Sequence, residues 1–181
     1  MLNRISAAVF FMVMMTSQAN AGVIGDYVED LKQDVAQTYH EGRVSAMIPL
    51  NAWHNRLTYD KEHLDKYNED PWGFGLGLSR YEGNDWHGLY AMAFKDSNGY
   101  IETMFGYAKM FNTALDCNGD FLLGYGYTLG LTQRHEYSYI PVPLPLPMVG
   151  ITYKRLSLNA AYVPGVKNDG NVLFSWLRID F

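Results

Sequence analysis

A single cysteine in 181 residues rules out an internal disulfide framework, because a bridge needs two partners. Cys117 falls in the turn-forming run Asp116-Cys117-Asn118-Gly119, so it reads as an exposed thiol, or less often as a link between molecules. Basic charge is also short. Fourteen Lys and Arg stand against 19 Asp and Glu, a net charge of −5, which removes the electrostatic footprint that nucleic acid requires. After the first residues, no apolar run approaches the roughly 20 residues of a membrane helix, so any bilayer span must be built of strands. Nucleotide fingerprints, a phosphate loop and a G-x-S-x-G elbow are missing. The five histidines have no metal-ligand spacing, and Asp116, Asn118 and Asp120 lack the later Glu of a calcium loop, so neither a metal nor a cofactor is expected. No repeat or low-complexity segment divides the chain.

What the chain does have is glycine and aromatic surface: 17 Gly, 14 Tyr, 9 Phe and 4 Trp. That content suits the aromatic girdles and tapered interior of a small membrane barrel, and on composition alone it suits a soluble β-sandwich equally well. Alternation separates the two. In GFGLGLSRY, Gly73, Gly75, Gly77 and Ser79 oppose Phe74, Leu76, Leu78 and Arg80; in YGYTLGLT, Gly124, Gly126, Thr128 and Gly130 oppose Tyr125, Tyr127, Leu129 and Leu131. In WHGLYAMAFKDS, Trp86, Tyr90, Met92 and Phe94 share a face with Gly88, and His87, Leu89, Ala91, Ala93 and Lys95 share the other. In each segment the face opposite the bulky residues is mostly small rather than charged. A barrel in lipid explains this if bulky residues meet hydrocarbon outside and small ones leave an inner space suited to an acyl chain.

The expected organisation follows. Arg4, the apolar run from Ile5 to Met15 and Ala19-Asn20-Ala21 fit a signal peptide over residues 1–21. Residues 22–181 form a single domain, with a helix and lead-in over 22–45 and a barrel over 49–181. The helix, predicted over 23–39, is amphipathic, with Val23, Tyr27, Leu31 and Val35 at every fourth position; beside a lipid-facing barrel it would lie in the membrane interface. Strands are expected at about 49–59, 73–81, 86–96, 100–110, 121–133, 148–154, 156–163 and 172–181, and an even count permits closure. The fold class is therefore all-β, an eight-stranded antiparallel transmembrane β-barrel preceded by an N-terminal amphipathic α-helix. Glu82-Gly83-Asn84-Asp85, Asn98-Gly99, Asn118-Gly119-Asp120 and Asn168-Asp169-Gly170-Asn171 supply residues that tolerate positive φ in turns. Residues 60–71, charged throughout, are expected as an exposed loop. The segment carrying Pro141, Pro143, Pro145 and Pro147 is expected not to pair as an interior strand. Such proline-bearing margins are either plain sheet edges or lateral openings for a lipid.

Candidate chemistry is sparse. His54 ends the first strand candidate, and Asp96-Ser97 ends the third just before Asn98-Gly99. Alone, each reads as a surface or turn residue. Alternating strand direction brings both to one rim, where an imidazole can move a proton, a carboxylate can orient it, and a hydroxyl can attack an ester or support an oxyanion.

Taken together, the motifs resemble the lipid A palmitoyltransferase (PagP) family: W-H-x-R-x-x-Y-D-K-E from Trp53, Y-N-E-x-P-W-G from Tyr67, G-L-S-R from Gly77, W-H-G-L-Y-A-M-A-F-K-D-S from Trp86, Y-I-P-x-P from Tyr139, and P-G-x-x-N-x-G-N-V from Pro164. The resemblance covers nearly all of the chain after residue 21. It implies an outer-membrane enzyme, expected as a monomer, that moves a palmitoyl chain from the sn-1 position of a glycerophospholipid to lipid A of lipopolysaccharide. It also implies catalytic roles for His54, Asp96 and Ser97, and a part for His87 in lipopolysaccharide recognition. Two departures stand out. Ala108 replaces a glycine at the floor of the acyl pocket, which implies a slightly shorter donor chain, and Lys167 replaces a tyrosine associated with phospholipid gating. Ala91 and Ala93 would then line the acyl pocket, with Asp96-Ser97 at its mouth. The competing expectations are a non-catalytic outer-membrane barrel that binds an apolar ligand, and an outer-membrane lipid hydrolase using the same rim groups.

Overall fold

The computed structural model describes residues 21–181, so the signal-peptide expectation lies outside the described residues. The described residues divide into two units between residues 36 and 37. Helix α1 spans Ala21–Glu41 and exposes Ile24, Tyr27 and Val28. It stops at Gly42, whose N–H donates to the Thr38 carbonyl at 3.0 Å. A side chain there would strike that carbonyl, at 2.3 Å from the Cβ position, so only glycine lets the chain turn this closely. Among the described residues no helix is long and apolar enough to cross a membrane.

Eight antiparallel strands close into a barrel in sequence order: β1 Arg43–His54, β2 Gly73–Glu82, β3 Asp85–Lys95, β4 Ile101–Ala114, β5 Phe121–Gln133, β6 Val142–Tyr153, β7 Leu156–Val163 and β8 Val172–Asp180. The expected fold class holds. The turns behave as their residues suggested, with positive φ at Gly83, Gly99, Gly119 and Gly170. Outward positions such as Val44, Leu76, Leu123, Tyr125, Ile151 and Leu158 stay exposed, a surface that water would penalise and hydrocarbon would not.

Four expectations change. β1 begins at Arg43 rather than residue 49, because Arg43 to Met47 pair with Ser79 to Gly75 as soon as the helix ends. It ends at His54 because the Asn55 carbonyl accepts the N–H groups of Thr58 and Tyr59, turning the chain. The charged loop contains a short helix, α2 (Lys61–Lys66), capped by Asp60 accepting from the His63 N–H.

The proline-rich segment does pair: β6 starts at Val142, and Pro143, Pro145 and Pro147 lie opposite Leu131, Leu129 and Tyr127 of β5. Strand N–H groups point alternately to the two sides, so prolines at every second position spare one ladder and remove donors from the other. The bereft side faces β7, where pairing starts only at Met148↔Ala161. A matching break separates β1 from β2 beyond Met47↔Gly75. Both breaks lie toward the end of the barrel that carries His54, here called the upper rim.

The fourth change concerns β3. Glycine faces of β2 and β5 point inward as expected, but so does the bulky face of β3: Trp86 is 2% exposed, and Tyr90, Met92 and Phe94 are also buried, while Ala91, Ala93 and Lys95 are exposed. Ala91 and Ala93 therefore do not line the interior. Volume decides the matter. A Cβ on Gly75 would lie 2.2 Å from Met92, and one on Gly130 would lie 2.7 Å from the Tyr90 hydroxyl, so the glycines of β2 and β5 make the room that β3 fills. Met47, Met104, Met110, Leu146, Met148, Phe174 and Trp176 complete an apolar, methionine-rich interior.

Candidate active site

A bulge aims the first site residue. In β1, Ser45, Met47 and Pro49 face inward, and simple alternation would continue with Asn51 and Trp53. The register against β8 instead jumps between Pro49↔Trp176 and Asn51↔Ser175, leaving Leu50 as an extra residue. That slip reverses the phase, so Ala52 and His54 point inward and His54 is 2% exposed.

The break between β1 and β2 brings the second residue. With no β2 partner, the Ala52 N–H donates to the Glu69 carbonyl at 3.0 Å, and the Asn51 amide donates to the same oxygen at 3.1 Å. Asn68, whose N–H donates to the Ser97 carbonyl, ties this loop to the β3–β4 hairpin. The Glu69 carboxylate consequently lies under His54. Its Oε1 accepts the His54 backbone N–H at 2.9 Å and lies 3.1 Å from His54 Nδ1. Arg56 grips both carboxylate oxygens, each at 2.6 Å. These Arg56 bonds first, then the His54 donors, hold the Glu69 carboxyl down to about 2. On the other side of the ring, His54 Nε2 lies 3.0 Å from Ser97 Oγ. Tyr67 stacks on the imidazole and Tyr59 meets it edge-on, both with centroids 5.0 Å away.

His54 and Ser97 thus meet as the sequence predicted, but the carboxylate on the imidazole is Glu69 rather than Asp96. Asp96 Oδ1 accepts the N–H groups of Asn98 and Tyr100, shaping the turn that presents Ser97. Its Oδ2 faces Arg134, at 3.9 Å from a guanidinium nitrogen that also serves Glu136, and the Arg134 Nε pairs with Glu102. Glu69 went unrecognised because it sits in an aperiodic charged loop, 15 positions from His54. Its one signal was the shared run Y-N-E-x-P-W-G.

The remaining candidates are dispersed. His87 lies near the β2–β3 hairpin at the opposite end of the barrel, on an outward position yet 1% exposed, with its Nδ1 2.8 Å from the Tyr107 hydroxyl. Ala108 faces inward between Gly88 of β3 and Thr128 of β5 and is 1% exposed. Lys167 is exposed in the β7–β8 loop. Its neighbour Asn168 binds the loop after β1: the Asn168 side-chain oxygen accepts the Asp60 N–H, and its amide donates to the Asp60 carboxylate.

Chemically, a buried imidazole between an ionised carboxylate and a hydroxyl, at the upper end of an apolar interior, is equipped to move a proton during ester chemistry on a long-chain lipid. Comparison with known proteins points the same way. Residues 34–178 match the family described as antimicrobial peptide resistance and lipid A acylation protein PagP. The chain is 52% identical over 155 residues to the lipid A acyltransferase PagP of Proteus mirabilis, covering 84% of this chain and 73% of that one. It is 52% identical over 153 residues to that of Photorhabdus laumondii, covering 83% and 73% respectively. Against that of Musicola paradisiaca the identity is 45% over 171 residues, covering 90% and 88%. The crystal structure of Neisserial surface protein A aligns over 76% of this chain and 96% of its own at 13% identity, with a TM-score of 0.39, too low to carry any argument.

Proposed function

Since the chain belongs to the PagP family of lipid A acylation proteins, we propose that it is an outer-membrane lipid A acyltransferase that takes a palmitoyl, or slightly shorter, chain from the sn-1 position of a glycerophospholipid. The observation that supports this reading best is the His54–Ser97 contact of 3.0 Å at the mouth of an apolar interior. The donor's acyl chain would descend among the methionines and aromatics, leaving its ester beside His54. The breaks beside β1 and β6 are the proposed lateral ways in for the lipids, because there a headgroup can pass without severing a complete ladder.

The transfer is written as a proton relay. A hydroxyl gives its proton to His54 Nε2 as its oxygen bonds the acyl carbon. The sn-1 ester C–O bond then breaks, and the proton passes from Nε2 to the departing oxygen, yielding a lysophospholipid. In direct transfer the hydroxyl belongs to lipid A and Ser97 is a polar stabiliser; if Ser97 is the nucleophile, the relay runs twice. Asp96 serves the site by holding the Ser97 turn.

Expression in a bacterium lacking this activity, with phospholipid labelled in the sn-1 chain, tests the reading. Mass spectra of lipid A are expected to gain one labelled acyl chain. Unaltered lipid A would sink the assignment, and labelled free fatty acid without acylated lipid A would favour the hydrolase.

Chain length supplies a second test. The Ala108 methyl occupies inward space between two neighbouring strands, so Ala108→Gly should lengthen the proposed acyl site by about one methylene, a preference of roughly 1–3 kcal/mol. The lipid A acyl chains are expected to lengthen accordingly. An unchanged distribution would remove Ala108 from the pocket floor.

A further inference from the structure

We infer that Glu69, anchored by Arg56, is the positioning carboxylate that fixes the tautomer and orientation of His54. This rests on the catalytic reading of His54 given above. The geometry permits one assignment of the ring proton. Glu69 Oε1 already receives hydrogen bonds from the His54 backbone N–H and the Arg56 guanidinium, and it lies 3.1 Å from His54 Nδ1. An ionised carboxylate can only accept, so the proton must reside on Nδ1. The reverse tautomer would set an imidazole lone pair against the carboxylate. With the proton on Nδ1, the Nε2 lone pair points at Ser97 Oγ and accepts its hydroxyl hydrogen at 3.0 Å.

The carboxylate itself cannot wander. Arg56 holds it by two parallel bonds of 2.6 Å, a forked geometry that fixes its plane as well as its position. Its own main chain is tied to β1 through the Ala52 N–H, two residues before His54. The ring therefore gains its orientation from a partner fastened to the same strand. Asp96 has no such link to the imidazole, since one oxygen is occupied by turn N–H groups and the other faces Arg134.

The test uses the full chain in detergent micelles with phospholipid donor and lipid A acceptor. Nitrogen-15 spectra of the wild type, with His54 signals identified by their loss in His54→Ala, are expected to show a protonated Nδ1 and an unprotonated Nε2. Glu69→Gln should abolish that signature and lower turnover by about 10²-fold, with the donor KM unchanged. Glu69→Asp should restore part of the turnover, and Asp96→Asn should leave the Nδ1 signature in place. Wild-type turnover in a folded Glu69→Gln variant would overturn the inference while leaving His54 as the base, and a wild-type ring protonated on Nε2 would overturn it together with the relay through Nε2. If Glu69→Gln fails to fold, the wild-type spectrum decides alone. Full turnover in His54→Ala would bring down the catalytic reading and this inference together.

Discussion

Changing His54 to alanine is expected to reduce lipid A acylation by about 10²- to 10⁴-fold, the range that a positioned proton-transfer group supplies. The barrel should survive the change. His54 is the last residue of β1, its main-chain register opposite Val172 does not depend on the ring, and Glu69 keeps both Arg56 bonds and the backbone N–H at position 54. No buried carboxylate is left unpaired, so the usual source of a large stability penalty is missing. What disappears is, among the described residues, the group seated to accept a proton from Ser97 Oγ. Labelled-donor transfer measured with the purified protein, beside a heat-mobility check of the barrel, decides the matter. Wild-type transfer by a folded His54→Ala variant would remove the imidazole from the mechanism.

Trp86→Ala carries the largest expected stability effect, roughly 3–5 kcal/mol, the range for truncating a buried aromatic. The indole is 2% exposed, donates its N–H to Ser79 Oγ at 2.9 Å, and lies under the Arg178 guanidinium at 3.9 Å from the ring centroid. Gly88 exists to admit it, since a Cβ there would lie 2.1 Å from the ring. Truncation therefore opens a cavity, orphans Ser79 and strips a cation of its aromatic face. Denaturant unfolding from micelles should move to a markedly lower midpoint with an unchanged slope. A lipid-facing Trp86 would have little to lose, so an unchanged midpoint would place the indole outside the barrel. Trp86→Phe should recover most of the stability by refilling the volume, though not the Ser79 bond.

Much of this architecture was legible in the chain itself. The turns were marked by Asn-Gly and Asp-Gly pairs, the small faces of β2 and β5 by their glycines, and the shared rim of His54 and Ser97 by counting strand reversals. The proline segment misleads because the rule that proline interrupts a sheet holds for one residue at a time. Spaced by two, Pro143, Pro145 and Pro147 present their missing donors to a single side and leave the β5 ladder whole. The aim of His54 was hidden for a related reason. An extra residue at Leu50 reverses the phase of β1, and its sign is an irregularity against β8, distant in sequence.

Residue alternation by itself determined that this protein is a run of strands with two unlike faces, since a period of two survives any arrangement of neighbours. It could not say which face of β3 turns inward, because alternation is symmetric and the choice depends on how much volume β2 and β5 leave vacant. Nor could it choose the partner of His54. Asp96 was the nearer candidate by motif, yet the tertiary structure seats Glu69 there through a main-chain bond at an unpaired stretch of β1. Long-range ladder breaks have no local period, so the container was written along the chain and the proton path only in its closure.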